Sequence, residues 1–375
     1  SKNKRFAQTV DYVTNHTDYP IMENEQATYY PVGEDMWTAM LEDMKKAKKY
    51  IFAEYFILEE GHMWNSITEI MAQKVKEGVD VRVLYDDVGS LKTYTKRNAR
   101  GLVERGIKVT QFNPLVFLSG TVNNRDHRKM LIVDGEIAYT GGINMADEYI
   151  NAIEKFGHWK DIGFRTVGKP VYSYIYMFAE FWNAYSKDKI PEEYLAQQEN
   201  LQAPDHPDGY ILSYCDFPMR PDPTSNNLYI ELLSQATERV WFYTPYLMLG
   251  DTLLDAFVRA AHRGIDVRII MPGSADKDLI NRLSRSYYPV LIEERVRIFE
   301  YTPGFIHAKA CLVDHDICAI GTVNLDYRSL FLHFENNAVF FQASIFDDLE
   351  KDYYDTLAQS QEIYLEDTKR GPFSR

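Results

Sequence analysis

Two stretches of the sequence share one pattern, HRKMLIVDGEIAYTGGIN at 127–144 and HAKACLVDHDICAIGTVN at 307–324. Each holds a His, a Lys two positions later and an Asp five positions after the Lys, followed by a Gly or Thr and then an Asn. The two copies keep identical spacing at a constant offset of 180 residues. Solvated surface charge imposes no such register, and an ancestral duplication alone would preserve only the apolar core. We therefore infer that the shared polar residues are functional.

The repeat continues on both sides of these stretches. Upstream, KEGVDVRVLYDD (76–87) matches HRGIDVRIIMPG (262–273), and each predicts the end of a helix, a Gly and a β-branched strand. Downstream, GIKVTQFNP (106–114) matches RVRIFEYTP (295–303). Because strands alternate with helices of about ten or more residues in both halves, we predict two α/β lobes, each with a largely parallel or mixed sheet covered by helices.

A polar, Pro-containing segment separates the two copies and has the composition of a linker. We predict a first lobe at 1–186, a linker at 187–210 and a second lobe at 211–375. At about 150 residues per domain, the chain is long enough for two such lobes.

The overall charge argues against nucleic acid as a partner. The chain has 41 Lys and Arg against 55 Asp and Glu, and its net charge of −14 repels a polyanion. The longest apolar stretch, at 171–182, is interrupted by Glu180 and falls short of the roughly 18 residues that a membrane-spanning helix needs. The cysteines form no CxxC pair and are expected to be buried and structural; they are Cys215, Cys311 and Cys318.

Strand geometry groups the polar residues of each copy. Side chains at alternate positions share a face of a strand, so His127 and Lys129 point the same way, as do His307 and Lys309. An imidazole beside an ammonium group suits an anion. A single such pair would most often be a solvated edge, and the duplication is what favours a functional site.

A hairpin is predicted to return the chain to this face. Asp134 and Gly135 between two apolar runs are typical of a two-residue turn, which would place Gly142 opposite His127 and Asn144 just beyond it. Glycine there would leave room for a ligand, and the Asn144 amide would donate hydrogen bonds. In the second copy the equivalent residues are Asp314, Thr322 and Asn324.

The acidic candidates differ in strength. Asp134 and Asp314 belong to the repeated pattern and so join the candidate catalytic residues, but Asp is favoured at turns for backbone geometry alone, and we expect both to brace the site. The contexts GHWKD at 157–161 and LHFEN at 332–336 follow the two motifs at similar distances. They make Asp161 and Glu335 candidate partners of the imidazoles. No His/Cys/Asp spacing is typical of a zinc site, and we expect no metal or other cofactor.

The doubled His-x-Lys-x4-Asp pattern resembles the phospholipase D superfamily, and the likeness covers nearly the whole chain. The contexts at 123–149, 157–168, 303–330 and 333–341 are similar to bacterial cardiolipin synthases. The resemblance implies a phospholipase D-like fold of two pseudo-symmetric α/β/α lobes with mixed sheets and one shared site. It also implies that Asp161 orients His307 and that Glu335 orients His127.

The resemblance further implies a reaction. His127 would attack the phosphorus of phosphatidylglycerol to give a phosphatidyl-histidine, and protonated His307 would deliver a proton to the leaving glycerol. A second phosphatidylglycerol would then accept the group and form cardiolipin. The phosphate-binding residues would be Lys129, Lys309, Asn144, Asn324, Gly142 and Thr322.

The same resemblance implies the bacterial cell membrane as location, with the catalytic part facing the cytoplasm and the membrane surface as a partner. Members of this kind carry two N-terminal membrane helices, and we expect that an anchor was removed from the chain, which begins at Ser1. Two apolar segments are candidates for lipid contact, PLVFLSG at 114–120 and TPYLMLGDTLL at 244–254, with core packing favoured for the second. The sequence indicates no oligomeric state.

Three other functions compete with the synthase. A hydrolytic phospholipase D would use water as acceptor, and a nuclease of the superfamily is disfavoured by the negative charge. A lipid-binding module without catalysis would tolerate loss of either His127 or His307.

Overall fold

The computed structural model describes residues 2–113, 123–199, 201 and 204–369. The apolar segment at 114–120 lies outside these residues. Within them, the strands are β1 (Met22–Glu23), β2 (Ala27–Tyr30), β3 (Tyr50–Tyr55), β4 (Asp80–Asp86), β5 (Lys108–Phe112), β6 (Met130–Val133), β7 (Ile137–Gly141), β8 (His158–Lys160), β9 (Gly163–Val167), β10 (Tyr210–Asp216), β11 (Arg239–Tyr243), β12 (Asp266–Pro272), β13 (Arg297–Tyr301), β14 (Gly304–Ile306), β15 (Ala310–Val313), β16 (Ile317–Gly321), β17 (Glu335–Phe341) and β18 (Ser360–Ile363).

Helices connect most of these strands. They are α1 (Lys2–Thr17), α2 (Gly33–Lys46), α3 (His62–Lys76), α4 (Lys96–Glu104), α5 (Val171–Tyr185), α6 (Glu192–Glu199), α7 (Thr224–Gln235), α8 (Asp251–His262), α9 (Asp278–Ser286), α10 (Tyr288–Glu293), α11 (Tyr327–Phe331), α12 (Ile345–Leu357) and α13 (Leu365–Thr368), with a 3-10 helix at Asp147–Ile150. Among the described residues, no helix combines the length and the apolar character needed to cross a bilayer. The apolar stretch at 171–182 instead forms the buried helix α5.

The two halves of the chain form two mixed sheets with the same strand order. The first runs β2-β9-β7-β6-β3-β4-β5 and the second β10-β17-β16-β15-β11-β12-β13, with β1 and β18 added at its edges. In each sheet the three strands at one side are parallel and the rest are antiparallel. The predicted fold class is therefore confirmed. The lobe boundaries stay a prediction. Helix α1 and strand β1 come from the start of the predicted first lobe, but they pack on α7 and β10 of the second half.

The helix ends follow the repeated sequence. Helices α3 and α8 are each followed by one capping residue and then by a glycine. These glycines, Gly78 and Gly264, adopt φ of 89° and 87°. A side chain is disfavoured in this left-handed conformation, which explains the glycine in each copy. Strand β3, which pairs in parallel with β4, is buried along its whole length, as expected for a sheet covered on both faces.

The β6–β7 hairpin differs from the prediction by one residue. Val133 pairs with Ile137, so the loop holds three residues rather than two, and Asp134 adopts φ of 55°. The predicted pairing of Gly142 with His127 is wrong, because a slip of one residue changes every partner. The β15–β16 hairpin has the same three-residue loop.

The two sheets meet along β7, β9 and β16, where aromatic and polar contacts cross between the halves. The rings of Phe164 and Phe340 pack edge to face, with centroids 5.1 Å apart. Helix α5 contacts β10 of the second sheet and α12 contacts β2 of the first. The segment at 244–254 contributes Leu247 and Leu253 to the core, each fully buried, so core packing is the correct reading of it.

Candidate active site

Short parallel strand pairs between the halves bring each motif histidine to an acid from the other half. Strand β8 pairs with β14, and the His307 N–H donates to the Lys160 carbonyl, so His307 lies next to Asp161. An isolated bridge joins Asp126 to Phe334, and the His127 N–H donates to the Phe334 carbonyl. In each case the carbonyl belongs to the residue just before the acid. The two arrangements are therefore pseudo-symmetric in their backbone.

The first pair is His307 with Asp161. Nδ1 of His307 lies 2.7 Å from Oδ2 of Asp161, and the Ile162 N–H donates to Oδ1 at 2.9 Å. A Cβ atom at Gly142 would lie 2.1 Å from Oδ1 of Asp161 and 2.9 Å from the His307 carbonyl oxygen. The absence of a side chain at Gly142 thus leaves room for the Asp161 carboxylate and the His307 backbone. We predicted instead that this space would admit a ligand.

The second pair is His127 with Glu335, at 2.9 Å between Nδ1 and Oε2. The carboxylate of Glu335 accepts further hydrogen bonds from the hydroxyl groups of Thr322, at 2.5 Å, and Ser329, at 2.6 Å. Nδ1 of His333 lies 3.7 Å from its Oε1. Thr322, the counterpart of Gly142, therefore acts on the acid directly.

Two buried lysines lie beside the imidazoles. Lys129 and Lys309 are each 1% exposed, and the ammonium group of each donates to the carbonyl oxygen of its own motif histidine. Nζ of Lys309 also lies 2.8 Å from Nδ1 of His307. An ammonium group has three N–H donors, so both lysines retain donors for an anion.

The two motif asparagines are buried in loops next to this centre. Asn144 accepts from the Ile57 N–H at 3.1 Å and donates to the Tyr149 hydroxyl at 2.9 Å, while the Tyr149 ring packs edge to face on His307. The backbone N–H of Asn324 donates to Ser329 at 2.8 Å. Within the described part of the chain no donor reaches Oδ1 of Asn324.

The structure does not bring the motif aspartates to the imidazoles. Asp134 follows β6 whereas His127 precedes it, a separation on the order of 20 Å along an extended chain. Its carboxylate accepts from the backbone N–H groups of Lys48, Lys49 and Tyr50 at 2.7–3.0 Å. Asp314 holds the backbone at 237–239 in the same way. Both residues brace the loops that enter β3 and β11.

Burial lowers the pKa values of the two motif imidazoles and the two lysines. It lowers the pKa of His127 to about 3 and that of His307 well below its usual value, the latter reinforced by Coulombic repulsion from Lys309, Lys129 and His127. Burial likewise lowers the pKa of Lys129 to about 8 and that of Lys309 to about 7. Burial therefore favours the neutral form of both imidazoles.

The two acids differ. Burial raises the pKa of Asp161 to about 7, although Lys309 and the Ile162 N–H oppose the shift. Burial acts on Glu335 in the same direction, but attraction to His127 and the hydrogen bond with it outweigh this effect, and the pKa of Glu335 is held well below its usual value. The low pKa of Glu335 favours its anionic form at neutral pH, whereas Asp161 titrates near neutral pH.

Sequence reasoning missed two contributors to this centre. Ser329 binds Glu335, and nothing in its spacing from the motif marks it. His333 lies within the context LHFEN, from which sequence analysis singles out only Glu335, whereas the structure places His333 against both His127 and Glu335. One ligand atom from each of His127, His333 and Glu335 lies within 4.8 Å of the others, so this trio has the means to hold a metal ion. Spacing along the chain does not reveal the trio, because it forms only between the halves.

Comparison with known proteins gives the same two-part organisation. A family model described as "Cardiolipin synthase, PLD-like domain" matches residues 40–154 and 229–356. The chain belongs to this family. The enzyme class that follows is phospholipid phosphatidyltransferase of the phospholipase D superfamily.

Individual relatives agree with this assignment. A cardiolipin synthase of Alkalihalophilus pseudofirmus is 34% identical over 357 residues, covering 94% of this chain and 70% of the relative. An uncharacterized protein of Streptococcus mutans is 42% identical over 354 residues, covering 94% of this chain and 76% of its own length. Among solved structures, a phosphatidylserine synthase of Haemophilus influenzae superposes with a TM-score of 0.71 over 95% of this chain and 92% of its own, at 16% identity. That likeness shows the fold.

Proposed function

We propose that this phosphatidyltransferase moves a phosphatidyl group from one phosphatidylglycerol to the headgroup hydroxyl of another, forming cardiolipin and releasing glycerol. The observation that carries the proposal is the pairing of each motif imidazole with a carboxylate from the other half, beside two buried lysines. Such a centre offers a nucleophile, an acid and two cations around one phosphorus atom.

The nucleophile in this proposal is His127. Anionic Glu335 accepts a hydrogen bond from Nδ1–H of His127, which leaves the lone pair on Nε2 for attack. A bond forms between Nε2 and phosphorus as the bond from phosphorus to the glycerol oxygen breaks. The product of this step is a phosphatidyl-histidine.

The acid is His307, in the opposite tautomer. Protonated Asp161, whose pKa burial raises to about 7, donates to Nδ1 of His307 at 2.7 Å, so the ring carries its own proton on Nε2 and donates it to the leaving glycerol oxygen. As Nε2 gives up its proton, Nδ1 takes the proton of Asp161, which becomes a carboxylate; the proton returns to Asp161 in the second half-reaction. In the second half-reaction Nε2 of His307 removes the proton of the acceptor hydroxyl, whose oxygen attacks phosphorus and releases His127.

The lysines stabilise charge on the phosphoryl oxygens. Lys129 and Lys309 lie on the same face as their histidines and keep unused N–H donors. An anionic phosphodiester nearby favours their charged forms and so offsets the lowering of their pKa by burial. The proposed chemistry uses side chains alone.

An apolar rim supports a lipid substrate and a membrane surface as partner. Helix α9 exposes Leu279 (69%) and Leu283 (43%) one turn apart. It lies near the centre, because the ammonium group of the adjacent Lys277 donates to the Tyr246 hydroxyl at 3.2 Å. The Tyr246 ring packs on Phe305, and the Phe305 ring packs on His307. The side chains of His127 and His307 are each only 8% exposed, which restricts the access of bulk water to the intermediate. We propose that the rim faces the lipid surface of the bacterial cell membrane.

The deciding experiment supplies vesicles of phosphatidylglycerol and separates the products. Cardiolipin and glycerol in equal amounts are expected, and phosphatidic acid as the sole lipid product would overturn the synthase in favour of a hydrolytic phospholipase D. Quenching after brief exposure and mapping the acid-labile phosphohistidine tests the nucleophile. The adduct is expected on His127, and an adduct on His307 would reverse the assigned roles.

A further inference from the structure

Of the described imidazoles next to the centre, only His333 has no role in the proposed reaction. Its side chain is 11% exposed and packs on the ring of His127, with centroids 5.4 Å apart, and on Phe56 at 6.4 Å. Among the described residues, neither ring nitrogen of His333 has a hydrogen-bond partner. Burial of two unpaired polar atoms is unfavourable, so a ligand that binds them would be stabilising.

The surroundings of His333 match a transition-metal site. Ligand atoms bonded to a tetrahedral zinc ion at 2.0–2.1 Å lie about 3.3 Å apart. Nδ1 of His127 is 2.9 Å and Nδ1 of His333 is 3.7 Å from the Glu335 carboxylate, and one atom from each of the three residues falls within 4.8 Å of the others. Small side-chain movements would reach the tetrahedral spacing. Two imidazoles and one carboxylate suit Zn²⁺ and similar ions, whereas Mg²⁺ and Ca²⁺ prefer oxygen ligands.

We propose that His127, His333 and Glu335 form an inhibitory binding site for Zn²⁺ or a similar transition-metal ion. The ion replaces the proton on Nδ1 of His127, and the ring stays neutral because this proton moves to Nε2, where it blocks the attacking lone pair. The ion occupies the imidazole that attacks phosphorus and the carboxylate that orients it, so the free enzyme is held inactive. The inhibitory effect rests on the proposed role of His127, whereas metal binding does not.

The test measures metal binding without substrate. Titration calorimetry with Zn²⁺, and the visible absorption of Co²⁺ in tetrahedral sites, are recorded for the full chain, for His333→Asn and for His333→Gln. Loss of one ligand is expected to weaken binding by at least about tenfold and to abolish the tetrahedral Co²⁺ bands. Thermal unfolding of both variants in the absence of metal checks that they remain folded.

A matched control is His315→Asn, because His315 is an exposed histidine whose Nε2 lies 2.8 Å from Glu238. This variant is expected to bind Zn²⁺ as the unchanged chain does. Equal affinity in all four proteins, or loss only in His315→Asn, would overturn the site.

Inhibition is then measured on phosphatidylglycerol turnover, whichever product forms. Zn²⁺ is expected to inhibit the unchanged chain and to inhibit His333→Asn at least about tenfold less potently, while Mg²⁺ has no such effect. Binding at the trio without inhibition would overturn the inhibitory role. If phosphatidic acid forms instead of cardiolipin, the proposed function fails while the metal site is still decided by calorimetry.

Discussion

The two imidazole–carboxylate pairs have the same backbone arrangement and different surroundings. Glu335 is held by two hydroxyl groups and lies near His333, whereas Asp161 is held by one backbone N–H and lies near the ammonium group of Lys309. The first acid stays anionic and the second titrates near neutral pH. The duplication thus supplies two equivalent histidines, and we propose that their different surroundings make one a nucleophile and the other an acid.

The largest effect is expected from removing either imidazole. His127→Ala and His307→Ala should each lower cardiolipin formation by about a thousandfold or more, because the two groups act in one step. Initial rates with phosphatidylglycerol vesicles measure the loss. Vesicle binding should be retained, and a variant that keeps more than about a tenth of the activity would contradict the shared centre.

Substitutions of the two acids should lower kcat/KM by different amounts. Glu335→Gln removes an anion from the nucleophile and should cost about a thousandfold in kcat/KM, whereas Asp161→Asn resembles the protonated acid and should cost about tenfold. Equal losses would show that the two pairs work alike. A larger loss in Asp161→Asn would reverse the roles assigned here to His127 and His307.

Glycine at 142 is expected to matter through the partner half. Gly142→Ala places a Cβ atom 2.1 Å from Oδ1 of Asp161 and should displace the carboxylate from His307, lowering kcat/KM by about tenfold to a hundredfold. Gly101→Ala is the control, since a Cβ atom there has no neighbour within 4 Å. Normal activity of Gly142→Ala would argue against the fixed position of Asp161.

The pH profile should fall on the alkaline side. Burial lowers the pKa of Lys309 to about 7 and that of Lys129 to about 8, so both cations are lost as the pH rises through this range. We expect kcat/KM, which reports the free enzyme, to decline between about pH 7 and 9. A profile that stays flat to about pH 9 would contradict uncharged lysines in the free enzyme.

The smallest effect is expected at the rim. The double variant Leu279→Ser, Leu283→Ser should weaken vesicle binding by about tenfold, because it removes exposed apolar area from α9. Turnover of a short-chain, monomeric phosphatidylglycerol should be unchanged. Val103→Ser changes another exposed apolar residue, on α4, and should leave vesicle binding as it was. Equal effects of the two changes would remove α9 from the lipid surface.

Much of the fold could be predicted because its signals are local. The glycines after α3 and α8 and the alternation of helices with strands appear within short windows of sequence. The hairpin register could not be predicted in the same way. Asp-Gly favours a two-residue turn, but the carboxylate of Asp134 binds three backbone N–H groups of a distant loop, and the structure has a three-residue turn.

By itself, the sequence determined that the chain has two equivalent halves, that each contributes a histidine and a lysine on one face, and that the overall charge is negative. Periodicity and repetition carry this information. Only the tertiary structure decided which groups surround each histidine. Glu335 meets His127 across 208 positions and Asp161 meets His307 across 146. Protonation depends on burial and on neighbours from the other half, and these arise only when the two sheets pack together.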